Sequence, residues 1–371
     1  MRASHRCLSV IWLAGLLLAA CAAPTQRPPS PTPALAPTGT PSPVPPPVSL
    51  SGIQTYLTGK AGALHTATTE LKNAGQAYFQ LAAQSNFDYA ALWQNHSQEA
   101  INAINTARAA WTKASPLYEQ AEGIVAGTPS LANFDVILDA GTSAAEDPAS
   151  AAPYDLTLGD GRVLPRPGNL FGVTESTLWG TWPDFTAPVA ADFDRDGTVE
   201  FGEALPDAYV LQAATATLDQ YAADLGTAAA AWSPTPSEAF SALVTMIPTM
   251  SEYFQSWKNS RFVAGAATTQ RDFGVISRLA DVQDILGSLQ VVHDNVSPLI
   301  QQVNAGQDED IRQGLADLKA FVADVYQQEQ NGKVFTAEEA DLLGAEAQNR
   351  ATAITGLVTQ AAAQLNIELA R

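Results

Sequence analysis

Acidic side chains crowd a twelve-residue stretch near the middle of the chain, and their spacing could ligate a metal ion. Ca²⁺ takes about six to eight oxygen ligands, which an EF-hand loop supplies from positions 1, 3, 5, 7, 9 and 12, with glycine at position 6. Gly197 occupies that sixth position. The ligand positions hold Asp192, Asp194, Asp196, the carbonyl of Thr198, Glu200 and Glu203. A solvated acidic surface loop, the alternative, requires neither this glycine nor the final glutamate, so the stretch 192–203 predicts an EF-hand-type Ca²⁺ site.

The residues on either side of this loop predict how it is connected. Pro183 and Pro188 lie just upstream, and proline breaks helix interiors. A complete helix–loop–helix is therefore not expected. We expect a one-sided site whose exit runs through Pro206 into a helix beginning near Asp207.

Charge and cysteine content exclude several classes of function. The chain has 371 residues, a formal net charge of −19 and a pI of about 4.4. Such a surface repels phosphates, which argues against a nucleic-acid partner. Both cysteines precede residue 22, so the remainder contains no disulfide, cysteine nucleophile or thiolate ligand. The sequence also has no His-x-x-x-His, Gly-x-Ser-x-Gly or Gly-rich phosphate motif.

The N-terminal 21 residues have the composition of a secretory signal. Arg2 and Arg6 precede an apolar run from Leu8 to Ala20. The segment Leu18-Ala-Ala-Cys21 resembles a bacterial lipobox, which implies that Cys21 is lipidated; an ordinary signal with a chance cysteine is the alternative. Residues 22–50 are rich in proline and predict an extended linker. These features predict an extracytoplasmic, membrane-anchored lipoprotein of the periplasm or cell surface.

From residue 51 onward, apolar residues recur at three-to-four spacing, which predicts amphipathic helices. Thr336 and Glu339 match a capping box at the start of the last helix. Residues 128–168 are rich in proline and glycine and predict irregular structure. Because no segment shows the alternation of a strand, the sequence predicts an all-α bundle architecture.

Several helical segments resemble the imelysin family, which includes EfeO- and EfeM-type iron-uptake lipoproteins and a group classed as peptidases. The similarity covers residues 51–371 and is carried by Arg108-Ala-Ala-Trp111, Tyr253–Phe262, Asp272–Gly287 and Lys333–Leu343. The resemblance implies two antiparallel helical bundles packed end to end. The EF-hand-type loop would then lie in the connection between them.

The family hallmark, Gly-x-His-x-x-Glu, corresponds here to Leu170-Phe-Gly-Val-Thr-Glu175. By this resemblance Glu175 is the family-site residue, whereas Gly172 stands at the position of the histidine. A glycine donates no ligand, so a histidine-dependent peptidase is disfavoured. A literal His-x-x-Glu occurs at His96 and Glu99, but it lies away from the apolar stripe of its helix and is interpreted as an exposed pair.

Other polar and aromatic residues favour structural roles. His65 and His293 are each isolated within helices, which favours packed or half-exposed side chains over metal ligands. Tyr253, Trp257 and Phe262 favour a core stripe, with a ligand cleft as the alternative. Lys258 and Arg261 favour surface ion pairs, with Glu175, Glu252 or Asp281 as alternative partners at the bundle junction.

Three functional hypotheses follow. The first is a lipid-anchored envelope protein with structural Ca²⁺ that binds iron, another transition metal or a different small ligand, and that meets an iron-uptake permease or other envelope proteins. The second is an imelysin-type metallopeptidase, which would need a metal with an open position and a general base. The third is a calcium-dependent surface interaction module. The sequence favours the first and a non-enzymatic role.

Overall fold

The computed structural model describes residues 48–370 of the chain. The predicted signal peptide, Cys21 and the linker as far as residue 47 lie outside the described residues. Within residues 48–370, no helix is both long enough and apolar enough to span a membrane. The described part is predominantly helical, which confirms the predicted all-α class.

The described helices, in chain order, are α1 (Ser51–Gln84), α2 (Tyr89–Val125), α3 (Ala132–Asp135), α4 (Leu170–Trp179), α5 (Ala208–Ala231), α6 (Pro236–Met246), α7 (Met250–Asn259), α8 (Arg261–Ala264), α9 (Arg278–Gln330) and α10 (Ala337–Gln364). A π-helical turn, Val136–Ala140, directly follows α3. The strands are β1 (Leu156–Thr157), β2 (Val163–Leu164), β3 (Thr186–Ala190) and β4 (Ala204–Pro206).

Helices α1 and α2 form an antiparallel hairpin. Asp88 caps α2 by accepting a hydrogen bond from the backbone N–H of Ala91 at 3.0 Å. The buried positions of α1 recur every three or four residues, so one face packs against α2 and α5. On this face lie Ile53, Leu57, Ala61, Leu64, Ala67 and Leu71.

Helix α9 is itself a hairpin of two arms. Its backbone leaves the helical region at Asn304 (φ −159°, ψ 95°). Beyond this residue the chain reverses, so that His293 in the first arm meets Asp308 in the second at 3.1 Å. The first arm packs along α2, and α10, α7 and α6 pack with α9. Two helical groups are therefore joined by one continuous apolar core along α2 and α9.

A proline separates two helices, and the capping box forms as the sequence predicts. Pro248 lies in a 3₁₀ turn that separates α6 from α7. Thr336 caps α10, its hydroxyl accepting from the N–H of Glu339 at 3.1 Å while the Glu339 carboxylate accepts from the N–H of Thr336 at 2.9 Å. Helix α5 begins directly after Asp207, whose carboxylate caps it.

Two short pairs of strands occur in the described part of this all-α fold. β1 pairs antiparallel with β2, and β3 pairs antiparallel with β4. Both pairs are too short to show a period-two pattern in the sequence. The second pair matters for function because its connection, residues 191–203, contains the predicted Ca²⁺ loop.

We expect Thr336→Ala to lower the free energy of unfolding by about 1 kcal/mol, since it removes the hydroxyl that satisfies an unpaired N–H of the first turn. Urea denaturation monitored by circular dichroism measures the change. Thr352→Ala, an exposed substitution within the same helix, is the matched control and should cause no loss. Equal effects of the two substitutions would show that the cap contributes nothing.

Candidate functional site

A cluster of buried carboxylates lies where α2, the π-helical turn and the start of α9 meet. Glu119 and Glu122 lie one turn apart on α2, and Asp139 lies on the π-helical turn. Their side chains are at most 4% exposed, and one carboxylate oxygen of each lies within 4.8 Å of the others. Asp135 and Asp281 extend the group, so five acidic residues share one interior region.

Arg278, the first residue of α9, is the cation at the centre of this cluster. Its Nη1 lies 2.9 Å from Asp281, 3.7 Å from Glu119 and 3.8 Å from Asp139. Its guanidinium also lies over the rings of Phe273, at 3.7 Å, and Tyr253, at 4.8 Å. One guanidinium balances only one of the five carboxylates.

Two tyrosine hydroxyls meet part of the remaining need for donors. Tyr118 donates to Asp135 at 2.7 Å, and Tyr253 donates to Glu122. Among the described residues, Glu119 Oε2, Glu122 Oε2 and Arg278 Nε are buried without a hydrogen-bond partner. Unpartnered buried carboxylate oxygens are costly, so Oε2 of Glu119 and Oε2 of Glu122 identify a place where the protein interior lacks donors for them.

Burial controls the ionisation of this cluster. It raises the pKa of Glu119 and Asp139 well above the usual range, and neighbouring carboxylates raise both further. Burial also raises the pKa of Asp135 and Asp281 to about 7, although Arg278 lowers both. The cluster therefore holds protons near neutral pH unless another cation replaces them.

The cluster borders a cavity of about 500 Å³. Its lining includes Glu122, Asp135 and Asp139 together with Tyr253 and Arg278. Farther out, Arg271 lies over the ring of Trp182 at 3.4 Å. The volume lies within the range of sites for small molecules, so a hydrated ion or a small ligand fits.

Residues Arg271–Ser277, which we call the cover segment, reach the cavity through Arg271, Asp272 and Phe273. The segment joins the short helical turns after α7 to α9 and has no regular secondary structure. Glu175, on α4, accepts hydrogen bonds from its N–H groups at Phe273 (2.8 Å), Gly274 (2.8 Å) and Val275 (3.0 Å). Burial, followed by the charge of Asp272, raises the pKa of Glu175 to about 8, although these three hydrogen bonds lower it.

The predicted Ca²⁺ loop is a separate, exposed acidic site. Carboxylate oxygens of Asp192, Asp194 and Asp196 lie within 4.8 Å of one another. Asp192 accepts from the N–H of Gly197 at 2.7 Å, and Glu203 accepts from the N–H of Phe193 at 2.7 Å. The first and last ligand positions therefore both fold back onto the loop, as ligation of one ion requires.

Contacts at both ends of the loop attach it to α2 and α4. Arg108 donates to the carbonyl of Gly202 and, at 2.7 Å, to that of Leu178. Phe193 stacks on Trp93 with ring centroids 5.7 Å apart. These contacts fix the loop backbone, so its acidic side chains project from a supported frame.

A family comparison identifies the domain. The family model described as Imelysin matches residues 52–364. The chain belongs to the imelysin family. A search of curated proteins finds no match. The matched range includes the acidic cluster, the cover segment and the predicted Ca²⁺ loop.

Within this imelysin domain, the two hallmark positions have unequal roles. A Cβ at Gly172 would lie 2.8 Å from Oδ2 of Asp272, so a side chain here would press against the cover segment. Glu175 is 2% exposed and lies against the same segment. The structure thus brings Glu175 against the cover segment and directs its oxygens to backbone N–H groups of that segment.

The remaining histidines lie where the sequence interpretation put them. His96 and Glu99 are 43% and 62% exposed and 4.0 Å apart. His65 is 47% exposed, with its Nε2 3.8 Å from Asp219. His293 is 1% exposed and lies beside Asp308. None of the three borders the acidic cavity.

The aromatic and basic residues divide between core, cavity and surface. Trp257 is fully buried and Phe262 packs against the core, whereas Tyr253 lines the cavity, which was the alternative interpretation. Lys258 forms a surface ion pair with Asp341 at 2.7 Å. The ion pair expected for Arg261 was wrong: its guanidinium lies 3.5 Å from the ring centre of Phe201.

The sequence reasoning missed the buried cluster. Glu119 and Glu122 offered a usable signal, because two glutamates at i and i+3 lie among apolar residues on the inner face of α2. Asp139 and Arg278 offered none, since one lies in an irregular region and the other begins a helix 139 positions later. Only folding brings them together.

We expect the cation-free protein to lose stability as pH rises from about 5 to 8. The pKa values of Asp135, Asp281 and Glu175 are raised above their unfolded values, so the folded state binds more protons in this window. The loss should be at least about 1.4 kcal/mol, the equivalent of one pKa unit for one group. Urea denaturation in EDTA at both pH values measures it.

Glu119→Gln is the control for this prediction. It removes one ionisable group from the cluster and should flatten the pH dependence. A wild-type protein that is equally stable, or more stable, at pH 8 would contradict the assignment of raised pKa values.

Proposed function

We propose that this imelysin-family protein is a lipid-anchored component of the cell envelope that binds a metal cation in its acidic cavity and holds Ca²⁺ in its exposed loop. The observation that carries the proposal is the triad Glu119, Glu122 and Asp139, whose oxygens lie within 4.8 Å of one another while Oε2 of each glutamate has no partner among the described residues. A bound cation would supply the charge that Arg278 alone does not.

The donor set favours a hard cation. The triad offers carboxylate oxygens, and none of the described residues lining the cavity is a histidine or cysteine. Carboxylates suit hard ions better than thiolate-preferring ions. Iron, the metal suggested by the similarity to iron-uptake lipoproteins, would be bound as cargo to be transferred rather than as a resident cofactor.

The metallopeptidase alternative has less support. Hydrolysis at a metal centre needs a base that can take a proton from water. Both oxygens of Glu175 already accept N–H groups of the cover segment, and Gly172 provides no ligand. A calcium-dependent interaction module lacks a specific supporting contact in the described residues.

The loop from Asp192 to Glu203 supports a structural Ca²⁺ ion. Modules of extracellular proteins typically bind Ca²⁺ with a Kd of ~10⁻⁴ to 10⁻³ M. At that affinity the loop would stay occupied outside the cell without acting as a switch. Its attachment through Arg108 to α2 and α4 suits an ion that supports the fold.

The proposed location follows from the N-terminal sequence. A lipidated Cys21 and a proline-rich linker would hold the domain away from the membrane that anchors it. An iron-uptake permease or another envelope protein would then be the partner that receives the cargo. The net charge of −19 is consistent with a protein that meets cations and avoids nucleic acids.

The cavity assignment is tested by titrating Mn²⁺ into mature protein in which Asp194→Asn and Asp196→Asn have removed the loop site. Electron paramagnetic resonance should show one bound Mn²⁺ per chain. Glu119→Gln or Glu122→Gln should weaken binding at least about tenfold, because each removes a charged ligand. Glu99→Gln, an exposed carboxylate beside His96, should leave it unchanged. No bound Mn²⁺, or equal loss in the control, would refute the assignment.

We expect Ca²⁺ to raise the melting temperature of the wild-type domain and Glu203→Gln to abolish that rise. At about 100 times the Kd, binding to the folded state adds about 2.7 kcal/mol. Differential scanning calorimetry with and without Ca²⁺ measures the effect. Asp184→Asn, an exposed charge change just before the loop, should respond like wild type. An unchanged wild-type melting temperature would contradict the Ca²⁺ site.

A further inference from the structure

Three successive backbone N–H groups of the cover segment converge on one carboxylate. Those of Phe273, Gly274 and Val275 point to Glu175 at 2.8 to 3.0 Å. Phe273 has φ 54°, a backbone conformation that residues other than glycine rarely adopt. Successive N–H groups around such a residue form a concave anion-binding nest. Here the acceptor is the Glu175 side chain of the protein's own α4.

Phe273, the strained residue that begins this nest, faces the cavity. Phe273 places its ring 3.7 Å from the guanidinium of Arg278, the cation of the acidic cluster. Backbone strain persists only where surrounding contacts enforce it. The hydrogen bond from the Phe273 N–H to Glu175 is such a contact, so the carboxylate fixes the position of a ring that packs on Arg278.

Other attachments of the cover segment come from the same part of the chain. Ser176, the neighbour of Glu175, donates to the carbonyl of Arg271 at 3.1 Å, and Thr181 donates to the same oxygen. Arg271 lies over Trp182. Side chains of Ser176 and Thr181 therefore hold the start of the cover segment. The Glu175 carboxyl group holds its middle by accepting from backbone N–H groups.

The direction of the Glu175 side chain indicates that it holds the cover segment and does not ligate an ion. The residues of α4 that line the cavity are Gly172, Val173 and Ser176, which present a different face of the helix. Oε1 accepts two N–H groups and Oε2 accepts one. To ligate an ion, Glu175 would have to break its hydrogen bonds to these backbone N–H groups.

We propose that Glu175 is a positioning residue for the acidic cavity: it clamps the cover segment, so that Phe273 and Arg278 keep their places beside the cation site, and it does not ligate the cation. This inference rests on the proposed cation site for its functional consequence. The clamp itself depends only on contacts between α4 and the cover segment.

Amide hydrogen exchange tests the clamp. In Glu175→Gln, one acceptor oxygen becomes a donor, so we expect the N–H groups of residues 273–275 to exchange at least about tenfold faster. Glu175→Ala should show a larger increase. Glu119→Gln makes the same chemical change at a buried carboxylate of the cluster and should leave exchange at residues 273–275 unchanged.

Tb³⁺ luminescence tests whether Glu175 is also a ligand. In protein lacking the loop site, Tb³⁺ is titrated, and lifetimes in H₂O and D₂O give the number of bound waters. We expect Glu175→Gln to weaken Tb³⁺ binding about tenfold, as changes outside the ligand shell do, with the water count unchanged. Glu119→Gln should weaken binding and add bound water.

The outcomes separate the two proposals. Unchanged exchange at residues 273–275 in Glu175→Gln, or added bound water in that variant, would overturn the inference. If loop-deficient wild type binds no Tb³⁺, the cation site fails, and the exchange result alone decides the clamp. If Glu175→Gln does not fold, Glu175→Asp replaces it; its shorter side chain withdraws the acceptor oxygens, and faster exchange at residues 273–275 is the expected result.

Discussion

Uncompensated negative charge in the interior is the constraint on which the rest of this structure depends. Five carboxylates surround the single guanidinium of Arg278 at the meeting of α2, the π-helical turn and α9. Charges removed from water are expensive unless they are paired and hydrogen-bonded. The fold meets this cost with two tyrosine hydroxyls, raised carboxyl pKa values and a cavity open to a ligand. The acidic groups that could hold a metal ion therefore carry a cost in stability.

Helix α4 is short, yet it connects the features that surround this site. Its Glu175 holds the cover segment, and the carbonyl of Leu178 in its last turn accepts from Arg108, which also donates to the predicted Ca²⁺ loop at Gly202. Nine of its ten residues are buried, so it cannot shift without disturbing several neighbours. The two candidate ion sites consequently share one rigid support, although different residues form them.

The departure from the family hallmark has a physical explanation in this packing. At Gly172 the cover segment approaches so closely that a Cβ would lie 2.8 Å from Asp272. A histidine at that position would therefore require the Asp272 side chain to move. With no imidazole available, the cluster offers oxygen donors, and Glu175 serves the segment that occupies the space.

Local sequence patterns determined the helices of this protein, a helix cap and the acidic loop. The three-to-four spacing of apolar residues specified the helices, Thr336 and Glu339 specified a cap, and Asp207 began the helix after the loop, because each depends on neighbours in the chain. The spacing of the acidic loop likewise needs only twelve consecutive residues. Tertiary structure alone decided the buried site, since Glu119, Asp139 and Arg278 are distant in sequence and meet only when α9 packs on α2. It also decided the orientation of Glu175, because hydrogen-bond donors nearly a hundred residues away, rather than the motif around it, direct its carboxylate.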